Sequence, residues 1–246
     1  MNNSASATAK AALVFGGSRG IGAAIARRLA EDGFHVGLTY VSRPDKADDV
    51  VAAIKADGGK AIAIRADSAD PVEIRAAVRR TVGLFGPLDV AVVNAGVLRM
   101  ATLDAVDIHD LDLSLNVNVR GVFLAIQAAA GDMKDNGRII TIGSSTAIRT
   151  GSAGGSVYAM TKAAVAAMVK GIALDLSPRR ITVNNIQPGP TETDMTADMI
   201  SGLTEIIPLK RVGQPEEIAA LASYLASPSA GYMTGASLTI DGGYVL

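Results

Sequence analysis

Short runs rich in β-branched and small apolar residues alternate along the chain with longer stretches in which apolar positions return every three or four residues. The runs fall at 11–16, 35–40, 61–66, 88–94, 138–143, 181–187 and 237–240. The helical stretches fall at 20–32, 46–57, 72–84, 108–134 (in two pieces), 156–176 and 215–226. Six of the runs read as continuously apolar, the pattern of parallel strands buried on both faces beneath helices. Regular alternation of this kind predicts one α/β domain over 10–246: a doubly wound parallel sheet of about seven strands with helices on both faces. Turn residues agree with the bounds, since Asp57-Gly58-Gly59, Gly86-Pro87 and Asn136-Gly137 sit where helix should give way to strand. Pro215, followed by Glu216 and Glu217, suits a first helical turn. Residues 1–9 are small and polar and read as a disordered tail, while 191–211 is weakly periodic and rich in Met and Ile.

Candidate chemistry begins directly after the first run, with Gly16-Gly17-Ser18-Arg19-Gly20-Ile21-Gly22 opening a helical pattern. Glycines at a strand-to-helix turn let the backbone approach a pyrophosphate, and the helix presents free N–H groups and its positive dipole end to the anion. The sheet is therefore expected to be of Rossmann type. The spacing is G-x-x-x-G-x-G, different from both the usual G-x-G-x-x-G and a P-loop. At the end of the second run, where an acid would hold a ribose 2′-hydroxyl, the chain has Tyr40-Val41-Ser42-Arg43. With no carboxylate there to repel a 2′-phosphate, and with Arg19 and Arg43 as charged forks, the expected cofactor is NADP(H).

Tyr158 and Lys162 stand four apart, on one face of a helix. A free phenol ionises near pH 10, so acid/base work near neutrality needs a shift of about three units, or ~4 kcal/mol, which an adjacent cation can supply. The preceding strand delivers Ser144 and Ser145 to its carboxyl end, the edge at which open α/β sheets bind ligands.

With these residues the chain resembles the short-chain dehydrogenase/reductase family over essentially 11–246. The glycine turn is similar to the family's T-G-x-x-x-G-I-G, with Phe15 in place of the threonine, so that hydroxyl's work must be done otherwise. Asn94-Ala95-Gly96 matches N-N-A-G with Val93 in place of the first asparagine, and Pro188-Gly189 with Thr193 matches P-G-x-x-x-T. Ser145 lies thirteen residues before Tyr158, the family's spacing. The resemblance implies that Ser145 polarises a substrate carbonyl, Tyr158 exchanges the proton, Lys162 grips the nicotinamide ribose, and Asn118 holds a water through its carbonyl. It implies cofactor contacts from Gly16, Ser18, Arg19, Gly20, Ile21 and Gly22, from Tyr40, Ser42 and Arg43, and from Asp67 and Ser68 near the adenine. Asn94, Ala95, Gly96, Tyr158, Lys162, Pro188, Gly189, Thr191 and Thr193 complete that set, and 191–211, just after the cofactor turn, is implied to be a substrate lid.

The activity so implied is NADPH-dependent reduction of a ketone or aldehyde, or the reverse oxidation. Two subgroups are similar. Reductases of 3-oxoacyl carrier proteins imply an acidic carrier met by basic residues; Lys134-Asp135-Asn136 is weak there, leaving Arg179 and Arg180. The biofilm dispersal mediator-like subgroup implies instead a nucleotide-binding regulator, a sensor of a cyclic dinucleotide or of NADP with little turnover, through 16–25, 66–70, 92–96 and 213–217.

Composition narrows the partners. In 246 residues, 49% are hydrophobic and 19% charged, outside the disordered class. The lack of cysteine excludes disulfides and thiolate metal sites and makes a reducing cytoplasm the natural home. Twenty-three Lys and Arg against 24 Asp and Glu give no field toward nucleic acid or an anionic membrane. The longest apolar runs fall short of the roughly 18 residues of a spanning helix, so no membrane segment is expected. Asp104, Asp107, His109, Asp110 and Asp112 lack the glycine and glutamate of a calcium loop, so no metal is expected. His35 has no patterned partner, and Met133, Met168 and Met233 read as core filler. The helix at 156–176 carries Val165, Met168, Val169, Ile172 and Leu176 on one stripe and further apolar residues around it, and 121–130 shows the same excess. A helix apolar on more than one face is buried on more than one side, and with the resemblance this predicts a homotetramer.

Overall fold

The structure, a computed structural model, describes residues 10–197 and 200–246; the tail expected at 1–9 and Met199 of the lid lie outside the described residues. Seven strands form the sheet: β1 Lys10–Phe15, β2 Phe34–Tyr40, β3 Ala61–Arg65, β4 Leu88–Val93, β5 Met133–Ile142, β6 Thr182–Pro188 and β7 Ser237–Ile240. Their order is β3-β2-β1-β4-β5-β6-β7, parallel throughout. The α-helices are α1 Gly20–Glu31, α2 Pro44–Ala56, α3 Pro71–Phe85, α4 Ile108–Leu115, α5 Val122–Gly131, α6 Ser156–Leu176, α7 Ile200–Ile206 and α8 Pro215–Ala226. Every expected strand and helix is present. Because the chain winds outward from β1 to β3 and then returns to lay β4 on the other side of β1, the sheet has a switch point there, and a crevice opens at the strands' carboxyl ends.

Alternation within β1 builds both cores. Ala12 and Val14 face one side, where Ile25 and Leu29 of α1 and Ile218 and Leu225 of α8 pack on Val36, Leu38, Val92 and Ile140. Leu13 and Phe15 face the other, where Ile74, Val78, Ile126, Val165 and Val169 from α3, α5 and α6 pack on Val93, Ile139 and Val183. Helix starts follow local chemistry: the Asp70 carboxylate accepts the amides of Val72 at 2.6 Å and Glu73 at 3.2 Å ahead of Pro71. Gln214 and Glu217 form a capping box on α8.

Several expectations need correction. β3 is an edge strand and only half-buried, and β7 alternates exposed and half-buried positions. β6 is buried throughout yet carries Asn184, Asn185 and Gln187. The Asn184 amide donates to the Met233 carbonyl at 2.7 Å, and Asn185 accepts from Thr141 Oγ1 at 2.9 Å, so these polar groups are satisfied rather than replaced by apolar ones. Asn136-Gly137 does not end a helix: α5 stops at Gly131, and Asn136, left-handed at φ 63°, lies where β5 loops out between the pairs Leu88↔Met133 and Val90↔Arg138. His35 has a partner, the Phe85 ring at 5.3 Å.

A π-helical turn, Asn116–Gly121, joins α4 to α5. The joined stretch Ile108–Gly131, like Ser156–Arg179, is long and apolar enough to cross a membrane by length and composition, contrary to the reading from apolar runs alone. Both pack on the sheet. Asp107 caps α4 by accepting the His109 amide at 2.7 Å, and Asp110 pairs with Arg99 at 2.9 Å, which gives the acidic stretch a structural role. Met133 is buried in one core, with Met168 against it, and Met233 packs against the other.

Candidate functional site

The carboxyl ends of β1, β2, β4, β5 and β6 surround one cleft of about 580 Å³. Its floor is the turn from β1 into α1. Gly16 is left-handed at φ 72°, and a Cβ there would lie 2.8 Å from the Ala95 backbone; one on Gly22 would lie 2.1 Å from the Gly16 carbonyl. The turn is pinned from both neighbouring strands. Asn94 Nδ2 donates to the Gly16 carbonyl at 2.7 Å, and the Phe15 carbonyl accepts the amides of Asn94 and Ala95. From β2, Thr39 Oγ1 accepts the Gly16 amide at 2.9 Å and the Thr39 carbonyl accepts that of Gly17 at 2.9 Å. This threonine, missed in the sequence, supplies a hydroxyl to the turn where Phe15 has none. Its only signal was a lone polar residue inside an apolar strand. No side chain caps α1, so its first amides are available to an anion.

Of the expected cofactor residues, all but Gly22 line the cleft. Gly22 stands one layer behind, where its missing side chain lets helix and turn close. Asp67 follows β3, its Oδ1 accepting the Ala69 amide at 2.8 Å and its own amide donating to Glu73 at 2.7 Å. The two arginines are not free forks. Arg43 closes on Asp45 at 2.9 and 2.6 Å, and Arg19 pairs with Asp194, in the segment after β6, at 3.3 Å, both in the open. The hydrogen-bonded Asp45 carboxylate holds the Arg43 pKa above its usual value, while the Asp45 pKa falls to about 2.

Three of the four expected catalytic residues share one wall. Ser145, 2% exposed, begins the short turn after β5; Tyr158 and Lys162 come from the first turns of α6. Lys162 Nζ donates to the Ile142 carbonyl at 2.9 Å and lies 5.6 Å from the centre of the Tyr158 ring. Burial pushes the phenol up to about 12, partly offset by the Ser144 hydroxyl, and pushes Lys162 down to about 8. The expected lowering of the phenol by the lysine is not seen in this structure, where desolvation is the largest cause and the Ser144 hydroxyl the opposing one. Asn118, fully buried in the π-helical turn, stands behind the wall: its Oδ1 accepts the Val97 amide at 2.8 Å and its Nδ2 donates to the Val97 carbonyl at 2.8 Å and to Thr161 at 3.2 Å. It ties the loop after Gly96 to α6. Asn116, two residues earlier, is exposed.

A family model described as enoyl-(acyl carrier protein) reductase matches residues 16–245. The chain is 40% identical over 240 residues, 96% of this chain and 98% of the relative, to the cyclic-di-GMP-binding biofilm dispersal mediator protein of Escherichia coli (strain K12). It is 40% identical over 243 residues, 97% and 98% of the two chains, to a 3-oxoacyl-[acyl-carrier-protein] reductase of Synechocystis sp.. Among solved structures, a short-chain dehydrogenase/reductase from Serratia marcescens BCRC 10948 superposes with a TM-score of 0.94 at 50% identity, covering 96% of this chain and 98% of that one. A short-chain dehydrogenase from Burkholderia cenocepacia J2315, solved in complex with NADP, gives 0.92 at 47%, with the same coverage. The chain belongs to the short-chain dehydrogenase/reductase family.

Two further features of this short-chain dehydrogenase/reductase lie at the cleft. The segment after β6 is tied down where Thr191 bridges Gly213, by an Arg211–Glu217 fork of 2.7 and 2.7 Å and by Gln214 on Glu192 at 2.8 Å. Tyr244, near the C-terminus, reaches back to line the cleft, a placement no local motif foretold. At the basic site expected for a carrier, Lys134 is paired with Asp89 at 2.8 Å. Arg179 is taken up by Asp135 at 3.0 Å and by the carbonyls of Ala130 and Met133; Arg180 is exposed.

Proposed function

We propose that this protein reduces a ketone or aldehyde carbonyl with NADPH, Tyr158 donating the proton. The observation that carries the reading is the single wall on which Ser145, Tyr158 and Lys162 meet above the uncapped glycine turn. That turn fits a dinucleotide, because a Cβ at Gly16 or Gly22 would fill the cradle and the amides ahead of α1 face an anion. When bound, NADPH supplies the hydride. The turn, with Asp67, Ser68, Asn94 to Gly96 and the segment from Pro188 to Thr193, would hold it, and the Burkholderia neighbour solved with NADP supports the choice.

The chain's own groups do the rest. Ser145 donates a hydrogen bond to the substrate carbonyl oxygen and orients it. Burial raises the Tyr158 pKa, so the phenol is in its neutral form, the form that has a proton to give to the substrate oxygen. Lys162, anchored on the Ile142 carbonyl, stands beside the phenol to stabilise the phenolate left behind. Asn118 keeps Val97 and α6 in register. A sensor without turnover has no use for this full set, which is why catalysis is preferred over a regulatory role. We further read the working form as a homotetramer.

NADPH oxidation, followed by absorbance over a panel of ketones, aldehydes, quinones and 3-oxoacyl thioesters, tests the proposal. Tyr158→Phe is expected to cut kcat by about 10² to 10⁴ while leaving NADPH affinity nearly unchanged. No oxidation by wild type, or equal turnover by the variant, would overturn it.

A further inference from the structure

Beyond Tyr158 the cleft changes character. Leu98 and Met100 follow β4, Val117 rises from the π-helical turn, Met195 and Leu203 come from the lid, and Tyr244 closes the far side. Among the described residues lining the cleft, the charged ones lie elsewhere. Arg19, Arg43 and Asp67 belong to the nucleotide end, Lys162 is buried on the Ile142 carbonyl, and Asp194 is turned to Arg19. The nearby Arg99 is paired with Asp110, outside the cleft.

Tyr244 is held on every side. Arg149 donates to its carbonyl and sets its guanidinium 5.2 Å over the ring. The Asp241 carboxylate accepts the amides of Gly243 at 2.9 Å and Val245 at 3.0 Å, and the ring packs with Ile207 and Val212. Its hydroxyl lies against Gly151, where a Cβ would sit 2.3 Å away. A ring so fixed, 7% exposed, acts as a rigid wall and not as a flexible cover.

We infer that this compartment takes an uncharged, predominantly apolar carbonyl compound, and that Tyr244 sets the upper limit on its size. The inference rests on the carbonyl-reductase reading and deepens it. A carboxylate or ammonium carried into the compartment would lose water and meet no partner of opposite charge, a penalty that an apolar group of the same shape avoids. A bulkier neutral ketone would meet a wall that cannot yield.

The test uses full-length protein loaded with NADP⁺ for calorimetric binding and with NADPH for initial rates. Acetophenone is compared with 4-acetylbenzoate and with a trimethylammonium analogue, and then with 2-acetylnaphthalene. Acetophenone should bind at least about tenfold more tightly than either charged analogue. Tyr244→Ala should raise kcat/KM for the naphthyl ketone relative to acetophenone by about tenfold without changing NADPH affinity. Met195→Arg, at a lid position 45% exposed and so tolerant of change, should shift binding toward 4-acetylbenzoate by a similar factor; it keeps the inference testable should the tyrosine variant misfold. Charged analogues binding as well as acetophenone, no ketone binding at all, or an unchanged size ratio in a folded Tyr244→Ala would overturn it. Selective binding without any turnover would uphold the compartment's selectivity and overturn the proposed reaction instead.

Discussion

Lys162 shows most directly how function is built against stability. Burial lowers its pKa from 10.5 to about 8, so the folded chain prefers it neutral while the unfolded chain keeps it charged up to its usual pKa. Between those values the unfolded state binds more protons, and stability rises with pH. Below about pH 8 the residue is charged in both states, and its desolvation then costs stability in full. Lys162→Met should therefore raise the melting temperature of the cofactor-free protein near neutrality, with the advantage shrinking as pH climbs toward 10. Tyr158, raised to about 12, acts in the opposite sense only above its usual value near 10, which leaves the lysine window clear. Turnover should fall at least about a hundredfold in the same variant. Thermal melts at several pH values check this, and a variant less stable than wild type at neutrality would contradict it. The spacing of Tyr158, Lys162 and Ser145 was legible because helix pitch and strand polarity are local rules. Their protonation was not, because desolvation depends on everything folded over them.

At the scale of elements, the bounds of α8 could be read directly because capping residues, proline and period agree there, while those of α6 and β7 followed from the apolar pattern alone. The π-helical turn could not, since its composition is that of any α-helix; at its end the backbone passes so close to the Ser68 carbonyl that a Cβ on Gly121 would lie 2.2 Å from it, a contact no local pattern announces. Buried asparagines on β6 misled the apolar reading for a related reason: their partners are distant in sequence, in the loop before β7 for Asn184 and on the neighbouring strands β5 and β7 for Asn185. The loop between β2 and α2 carries a prediction of its own. With Tyr40 to Arg43 offering no acid at the end of β2, NADPH should bind more tightly than NADH. Arg43, however, must exchange Asp45 for the 2′-phosphate. Arg43→Ala is expected to weaken NADPH by about tenfold and NADH hardly at all, whereas Asp45→Asn, which frees the fork, should tighten NADPH and make its binding more sensitive to salt. Dissociation constants for the three proteins with both cofactors decide the matter, and equal affinity of wild type for NADH would refute the assignment.

For the whole molecule, the surplus of apolar surface on α5 and α6 remains to be placed. Phe123 is 46% exposed, Met160 47% and Leu174 75%, on helices whose inner faces are already filled by the sheet. The stretches that contain them are apolar enough in length and composition to cross a membrane, yet each runs along the sheet with its outer face left open. A second copy of the same two helices would cover that face with a surface of equal character, and two such pairings by two-fold axes give a closed tetramer. Light scattering should then report about 100 kDa for chains of 25.1 kDa. Leu174→Glu or Phe123→Arg would set charges into the contact and should reduce the mass toward dimer or monomer. Since α6 carries Tyr158 and Lys162, and the π-helical turn before α5 carries Asn118, dissociation should also lower kcat and make the melting temperature depend on protein concentration. A wild-type mass of one chain at micromolar concentration would remove the tetramer, and those exposed side chains would then need a different partner.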